Sequence, residues 1–156
     1  MTARETALRA LITFRREGAW PDLYLKKACA GLSQEDAALA AALTYGVLQN
    51  RAYLDFLIGS FSRRPPEKLT PQLLDALRLG AYQLVFLSRI PARAAVSETV
   101  ELVKQQGNPA AAGYANGVLR ALARSLPCLP QVPREPALER LSITYSHPRW
   151  FVGKML

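Results

Sequence analysis

Residues 74–107 read LDALRLGAYQLVFLSRIPARAAVSETVELVKQQG, and this stretch decides the fold. Between Leu73 and Leu87 the chain is almost wholly apolar, broken only by Asp75, Arg78 and Gln83 among groups with charge or an amide. The run falls short of the roughly 20 apolar residues that a membrane span requires, and it holds two charges, so it predicts a buried helix of a soluble domain. Asp75 and Arg78 are expected to pair there and lock the register between helices, because an unpaired buried charge is costly. Pro91 is expected to break this helix. A second helix over 92–106 follows, with Ala92, Ala95, Val96, Thr99 and Val103 on one apolar face, and Gly107 ends it.

Working towards the C-terminus, Asn108 caps the next helix and Pro109 takes its first position. Ala111, Ala115, Val118, Leu119 and Leu122 recur at helical spacing and face the core. Asn116 on that helix has two readings: a buried amide bonded to backbone, or an exposed contact to a nucleic acid. The stretch LPCLPQVPREP at 126–136 contains four prolines and reads as a linker at a domain edge. LERLSITYSHPRWFVGKML then begins something new.

Towards the N-terminus, SRRPPEKLTP at 62–71 is the clearest break in composition and reads as the join between two helical halves. Thr70 caps the helix that follows it, with Pro71 at the first position. The chain opens with a T-x-x-E capping box at Thr2 and Glu5, a helix over 3–17 and a stop at Gly18. Ala7, Leu8, Leu11 and Phe14 face inward, and Arg9 and Arg16 share the outer face. A short helix is expected over 22–30. Ser33 caps a third, whose small-residue body AALAAALTYGVLQN suits the middle of a bundle. A bend near Asn50 leads into YLDFLIGSF. No alternating strand pattern occurs, so the chain reads as all-α with about seven helices.

Composition bounds the chemistry. Half of the 156 residues are hydrophobic, which marks a globular chain. Lys and Arg number 20 against 12 acids, a net charge of +8 that draws polyanions such as RNA, DNA or an anionic membrane. A solvated basic surface is the alternative reading. The charged N-terminus does not read as a signal peptide. Cys29 and Cys128 make no disulfide framework and read as small hydrophobes in a reducing cytosol. Together with the single histidine, His147, they lack metal-ligand spacing. A Cys128–His147 catalytic pair is read instead as a buried cysteine and a helix-start histidine. No phosphate loop and no dinucleotide fingerprint occurs. Glu98 and Glu101 sit one turn apart, and Glu101 is expected to form an ordinary surface pair with Lys104. No catalytic, cofactor-binding or metal-binding residue is assigned.

The positive signal is basic. Arg4, Arg9, Arg15 and Arg16 lie on the first helix, and Lys26 and Lys27 just beyond it. Arg51 follows the central helix, Arg89 and Arg93 bracket Ile90-Pro91, and Arg120 and Arg124 align one turn apart with Asn116. These eleven side chains are the candidate RNA-binding residues. Phosphate binding needs several such cations within one footprint. Trp20, Tyr24 and Tyr45 could stack bases, but each reads first as core or half-buried packing.

ALTYGVLQNRAYLDFLI, LRLGAYQLVFLSRIPARAAVSETVELVK and YANGVLRALAR, in that order, resemble the signature blocks of the NusB-like domain over most of residues 2–125. RIPARAAVSE and especially YSHPRWFVGKML resemble the form of that domain that opens the ribosomal small-subunit RNA cytosine-C5 methyltransferases, the RsmB/Sun/Fmu family. The resemblance implies an antiparallel helical bundle of two subdomains, at about 2–61 and 66–126, within an RNA-binding domain 1–126. It implies that 127–156 is a linker and the start of the next domain. The family's catalytic domain, with its S-adenosylmethionine site and two cysteines, is absent from this chain, which is therefore expected to be a piece of a longer protein with no catalysis or cofactor of its own. Cys128 in LPCLP does not take a catalytic role. The implied partners are a small-subunit ribosomal RNA hairpin and the catalytic domain in cis, in the cytoplasm and not at a membrane, with a homodimer as a further arrangement. Trp150, Phe151 and Leu156 are expected to pack back on the domain or on neighbouring chains. A NusB-type transcription antitermination factor and a protein–protein docking module are the alternative functions.

Overall fold

The T-x-x-E box at the start of the chain closes as its spacing predicts. Glu5 N–H donates to the Thr2 hydroxyl at 3.1 Å, and Thr2 N–H donates back to the Glu5 carboxylate. The computed structural model describes residues 1–18 and 20–132. These form α1 (Ala3–Glu17), α2 (Asp22–Cys29), α3 (Gln34–Gln49), α4 (Arg51–Phe61), α5 (Pro71–Phe86), α6 (Ala92–Gln105) and α7 (Pro109–Arg124). Short 3₁₀ turns cover Pro66–Lys68 and Leu126–Cys128, and no strand occurs among the described residues. The protein is all-α.

The remaining helix starts follow the same local chemistry. Ser33, Thr70 and Asn108 each accept from the N–H three residues on, satisfying a donor that the first turn leaves orphaned. Gly18 and Gly107 end α1 and follow α6 at φ 70° and 85°, a left-handed conformation that costs a glycine nothing. Two helix ends depart from the sequence reading. α5 stops at Phe86, well before Pro91, where Leu87 leaves helical geometry and a turn closes with Ile90 N–H on the Leu87 carbonyl at 3.0 Å. The proline-rich segment also begins with a turn of 3₁₀ helix, because Pro127 lacks an N–H that the turn does not need.

α5 is the axis of the bundle, with α1, α3, α4, α6 and α7 packed around it. Ten of its residues are buried, among them Asp75 and Gln83. Two glycines let neighbours approach closely. A Cβ on Gly46 of α3 would overlap the phenol end of Tyr82, and one on Gly80 of α5 would meet Leu119 of α7 at 2.9 Å. The core runs continuously from Leu8 and Leu11 of α1 through Leu43, Leu54, Leu57 and Leu77 to Leu119 and Leu122 of α7. Phe14 is only half-buried and tilts against Trp20 at 5.6 Å between centroids. Cys29 is half-buried, but Cys128 is exposed rather than a core hydrophobe, because it sits on the surface turn after α7. The expectations for His147, Trp150, Phe151 and Leu156 lie outside the described residues.

Candidate nucleic-acid interface

A buried charge network fixes the helices that carry the arginines. Arg78 on α5 donates to both carboxylate oxygens of Asp55 on α4, at 2.7 and 2.8 Å, and to Asp75 at 3.2 Å. Asp75 also accepts from Arg15 of α1 at 3.2 Å. Two carboxylates and two guanidiniums thus tie α1, α4 and α5 together. Burial pushes the Asp75 carboxyl above its ordinary range, against the opposing pull of Arg78 and Arg15. Burial acts to lower Arg78, but its bonds and charge contacts with Asp55 and Asp75 prevail and hold it protonated more firmly than usual. The Asp75–Arg78 pair is the register lock that the sequence suggests; Asp55 and Arg15 complete it across distances in sequence that no local pattern reveals.

A second polar tie joins α1 to α5 and α6. Arg4 Nε donates to Gln83 Oε1 at 2.7 Å, while Gln83 Nε2 donates to the Leu79 carbonyl at 3.0 Å and reaches the Thr99 hydroxyl at 3.5 Å. Arg4 and Arg15 are therefore engaged within the protein. Arg9, Arg16, Lys26, Lys27, Arg51, Arg89, Arg93, Arg120 and Arg124 are exposed. The ion pairs among the described residues are Arg15–Asp75, Arg78–Asp55 and Arg78–Asp75. The nine exposed cations have no carboxylate partner in that set. Glu101 and Lys104 stay apart as well, since two exposed side chains gain little from closing.

The fold gathers some of these cations and separates others. Arg93, Arg120 and Arg124 line one groove between α6 and α7. Arg4 and Arg89 line another hollow with Phe86 and Leu39. Arg15 and Arg51 border a crevice of about 20 Å³ whose lining also includes Asp75 and Arg78. Arg9 and Arg16 stand on the outer face of α1, and Lys26 and Lys27 in the last turn of α2. Unpaired guanidiniums of this kind offer fork-shaped donors to phosphate oxygens.

Three features escape the pattern reading. Arg64 lies over the Tyr114 ring at 5.8 Å, and its N–H donates to the Tyr114 hydroxyl at 3.2 Å. Burial acts to raise the Tyr114 phenol, but the hydroxyl contact with Ser62, the backbone N–H groups of Arg64 and Arg63 and the Arg64 charge outweigh it and lower the phenol below its usual range. Proline in SRRPPEKLTP signals a linker and conceals this contact with α7. Phe86 is 43% exposed although it stacks on Tyr82 at 5.2 Å. Trp20 is 66% exposed and Tyr45 stands at the surface bonded to Asp22, whereas Tyr24 is half-buried. That hydrogen bond, with smaller effects of burial and the Asp22 charge, pushes the Tyr45 phenol up to about 12.

Among the described residues no helix is long and apolar enough to cross a membrane, and no cluster of three or more His, Cys, Asp or Glu is placed to hold a metal ion. The chain is 37% identical to the "probable ribosomal RNA small subunit methyltransferase B" of Bacillus subtilis, over 97% of its own length and 34% of that protein. It thus spans about a third of the methyltransferases it resembles. It is 34% identical to the transcription antitermination protein NusB of Bacillus licheniformis, over 80% of its own length and 96% of that protein. The fold superposes on the solution structure of NusB from Aquifex aeolicus with a TM-score of 0.65 and 25% identity, covering 86% of this chain and 95% of that one. The NusB family model matches residues 1–124. With that match spanning α1 to α7 and a NusB protein aligned almost from end to end, the chain belongs to the NusB family.

Proposed function

We propose that this chain is the RNA-binding, substrate-targeting domain of a ribosomal small-subunit RNA cytosine-C5 methyltransferase. The observation that carries the reading is the length of the alignment. Similarity to the Bacillus subtilis and Synechocystis methyltransferases runs over 154 residues, past α7 and into the region beyond residue 132, whereas similarity to the antitermination protein covers 126. In this reading residues 1–126 form the RNA-binding unit and 127–156 lead towards a catalytic domain in cis. S-adenosylmethionine belongs to that domain, and no residue here is assigned to hold it.

The proposed mechanism is electrostatic capture followed by delivery. Exposed Arg9, Arg16, Arg51, Arg89, Arg93, Arg120 and Arg124, with Lys26 and Lys27, attract a hairpin of small-subunit ribosomal RNA in the cytoplasm. Arg4 and Arg15 contribute chiefly by holding α1 on α5, with their remaining N–H groups turned to the same task. Docking against the catalytic domain then presents the target cytosine, which must leave its stack to react. The near-complete alignment with the licheniformis protein favours a second reading, a NusB-type antitermination factor. Titration of the chain with a small-subunit hairpin and a scrambled RNA of equal length tests the targeting role. Preferential binding to the hairpin supports it. Equal binding removes targeting and leaves only generic capture.

A further inference from the structure

Two neighbouring helices, α6 and α7, leave a groove of about 350 Å³ lined by Ala92, Arg93, Val96, Ser97, Asn116, Arg120, Ala123 and Arg124. We propose that this groove is a pocket for one unpaired nucleotide of an RNA strand. The phosphate is held by Arg93, Arg120 and Arg124, and the base rests on the small apolar floor beside Ser97 and Asn116. The proposal rests on the RNA-binding reading above and narrows it to one place.

Charge selects an anion. Three guanidiniums share the groove, no carboxylate lines it, and none of the three arginines has an acidic partner among the described residues. Size selects a small occupant. About 350 Å³ lies near the lower end of the roughly 300–1,000 Å³ of small-molecule pockets.

The lining distinguishes a nucleotide from a bare anion. Phosphate alone needs only the arginines, but Ala92, Val96 and Ala123 add apolar surface on which a base plane can lie. Guanidinium planes stack on unpaired bases and so recognise single strands. Asn116 is already oriented, because its Oδ1 accepts from Arg120 Nε at 3.1 Å. That bond leaves the amide N–H₂ as a donor for a base edge and holds the Arg120 guanidinium at the groove. The Ser97 hydroxyl, which donates to the Ala94 carbonyl at 3.4 Å, keeps its lone pairs for a base donor.

The experiment titrates the full chain, followed by two-dimensional amide NMR, with a single-stranded RNA pentanucleotide, a blunt RNA duplex and inorganic phosphate at matched ionic strength. Arg120→Ala/Arg124→Ala is compared with Arg9→Ala/Arg16→Ala, each checked for folding by circular dichroism, and Arg93→Ala serves as a second pocket variant. The expected result is a pentanucleotide shift at Ser97 and at the Asn116 side-chain amide that phosphate does not reproduce. The pocket variants lose roughly tenfold in pentanucleotide affinity and far less for the duplex, whereas the α1 variant loses similarly for both. Equal pentanucleotide binding by the wild type and the pocket variants overturns the pocket and leaves the RNA-binding reading standing. Identical shifts with phosphate overturn it in favour of a plain anion site. Failure of every RNA to bind at low salt overturns the RNA-binding reading itself, and the pocket with it.

Discussion

Arg78 on α5 grips Asp55 on α4 with two parallel N–H groups, at 2.7 and 2.8 Å, and reaches Asp75 with a third. The arginine is 13% exposed, and removing it leaves the half-buried Asp55 without an ion partner and the buried Asp75 with Arg15 alone. Arg78→Ala is expected to cost about 3–5 kcal/mol in urea unfolding. Arg78→Lys recovers only part of that, because an ammonium cannot make the fork. Arg15→Ala costs less, since Asp75 keeps Arg78. An Arg78→Ala protein as stable as the wild type contradicts this network.

The Asp75 carboxyl carries a pH signature. Burial raises it above the ordinary value, so the folded protein holds this proton more tightly than the unfolded chain does. Between the unfolded value of about 3.9 and the raised folded one, the native state therefore binds more protons, and stability falls as pH rises. Asp75→Asn removes that titration. The stability of the wild type relative to the Asn variant is expected to decline from pH 4 upward and level off above the folded value. Urea midpoints for both proteins across pH 4–7 measure it, and a difference that grows with pH reverses the assignment.

Close helix contact makes a sharper contrast between glycines. Gly46→Ala drives a methyl against the phenol end of Tyr82 and is expected to destabilise by about 1–3 kcal/mol. Gly117, inside α7, has open space for 4 Å around the place a Cβ would take, so Gly117→Ala is expected to stabilise by about 0.5–1 kcal/mol. Thermal melts of the two variants should move in opposite directions.

Arg9 and Arg16 are exposed on α1 and pair with no acid among the described residues. Arg9→Ala/Arg16→Ala should leave folding stability within about 0.5 kcal/mol per substitution. If both touch phosphates, the double variant loses RNA affinity and the slope of log affinity against log salt shrinks by about 2. Unchanged affinity in the folded variant takes α1 out of the footprint.

Helix starts were legible because their chemistry is local: Thr2 with Glu5, Ser33 with Asp36, Thr70 with Pro71 and Asn108 with Pro109 each lie within one turn of sequence. The Asp75–Arg78 pair was legible for the same reason. The partners that complete it were not. Arg15 meets Asp75 across 60 residues and Arg4 meets Gln83 across 79, and composition alone does not say which cations the fold will engage with its own carboxylates and amides. Spacing also overstated Glu101 with Lys104, where solvent competes with the pair. Apolar character overstated the burial of Trp20, whose ring lies on Phe14 at the surface. The α6/α7 groove needed both helices in place before Arg93 could join Arg120 and Arg124.

The central claim is that an unpaired basic surface captures RNA. Its most direct test is the affinity of the chain for a small-subunit ribosomal RNA hairpin measured across a salt series from low to physiological ionic strength. Displacement of counterions by several arginines predicts a linear fall of log affinity with log salt, at about 0.9 per duplex phosphate contacted. An affinity that does not change with salt, or no binding at the lowest salt, contradicts the account.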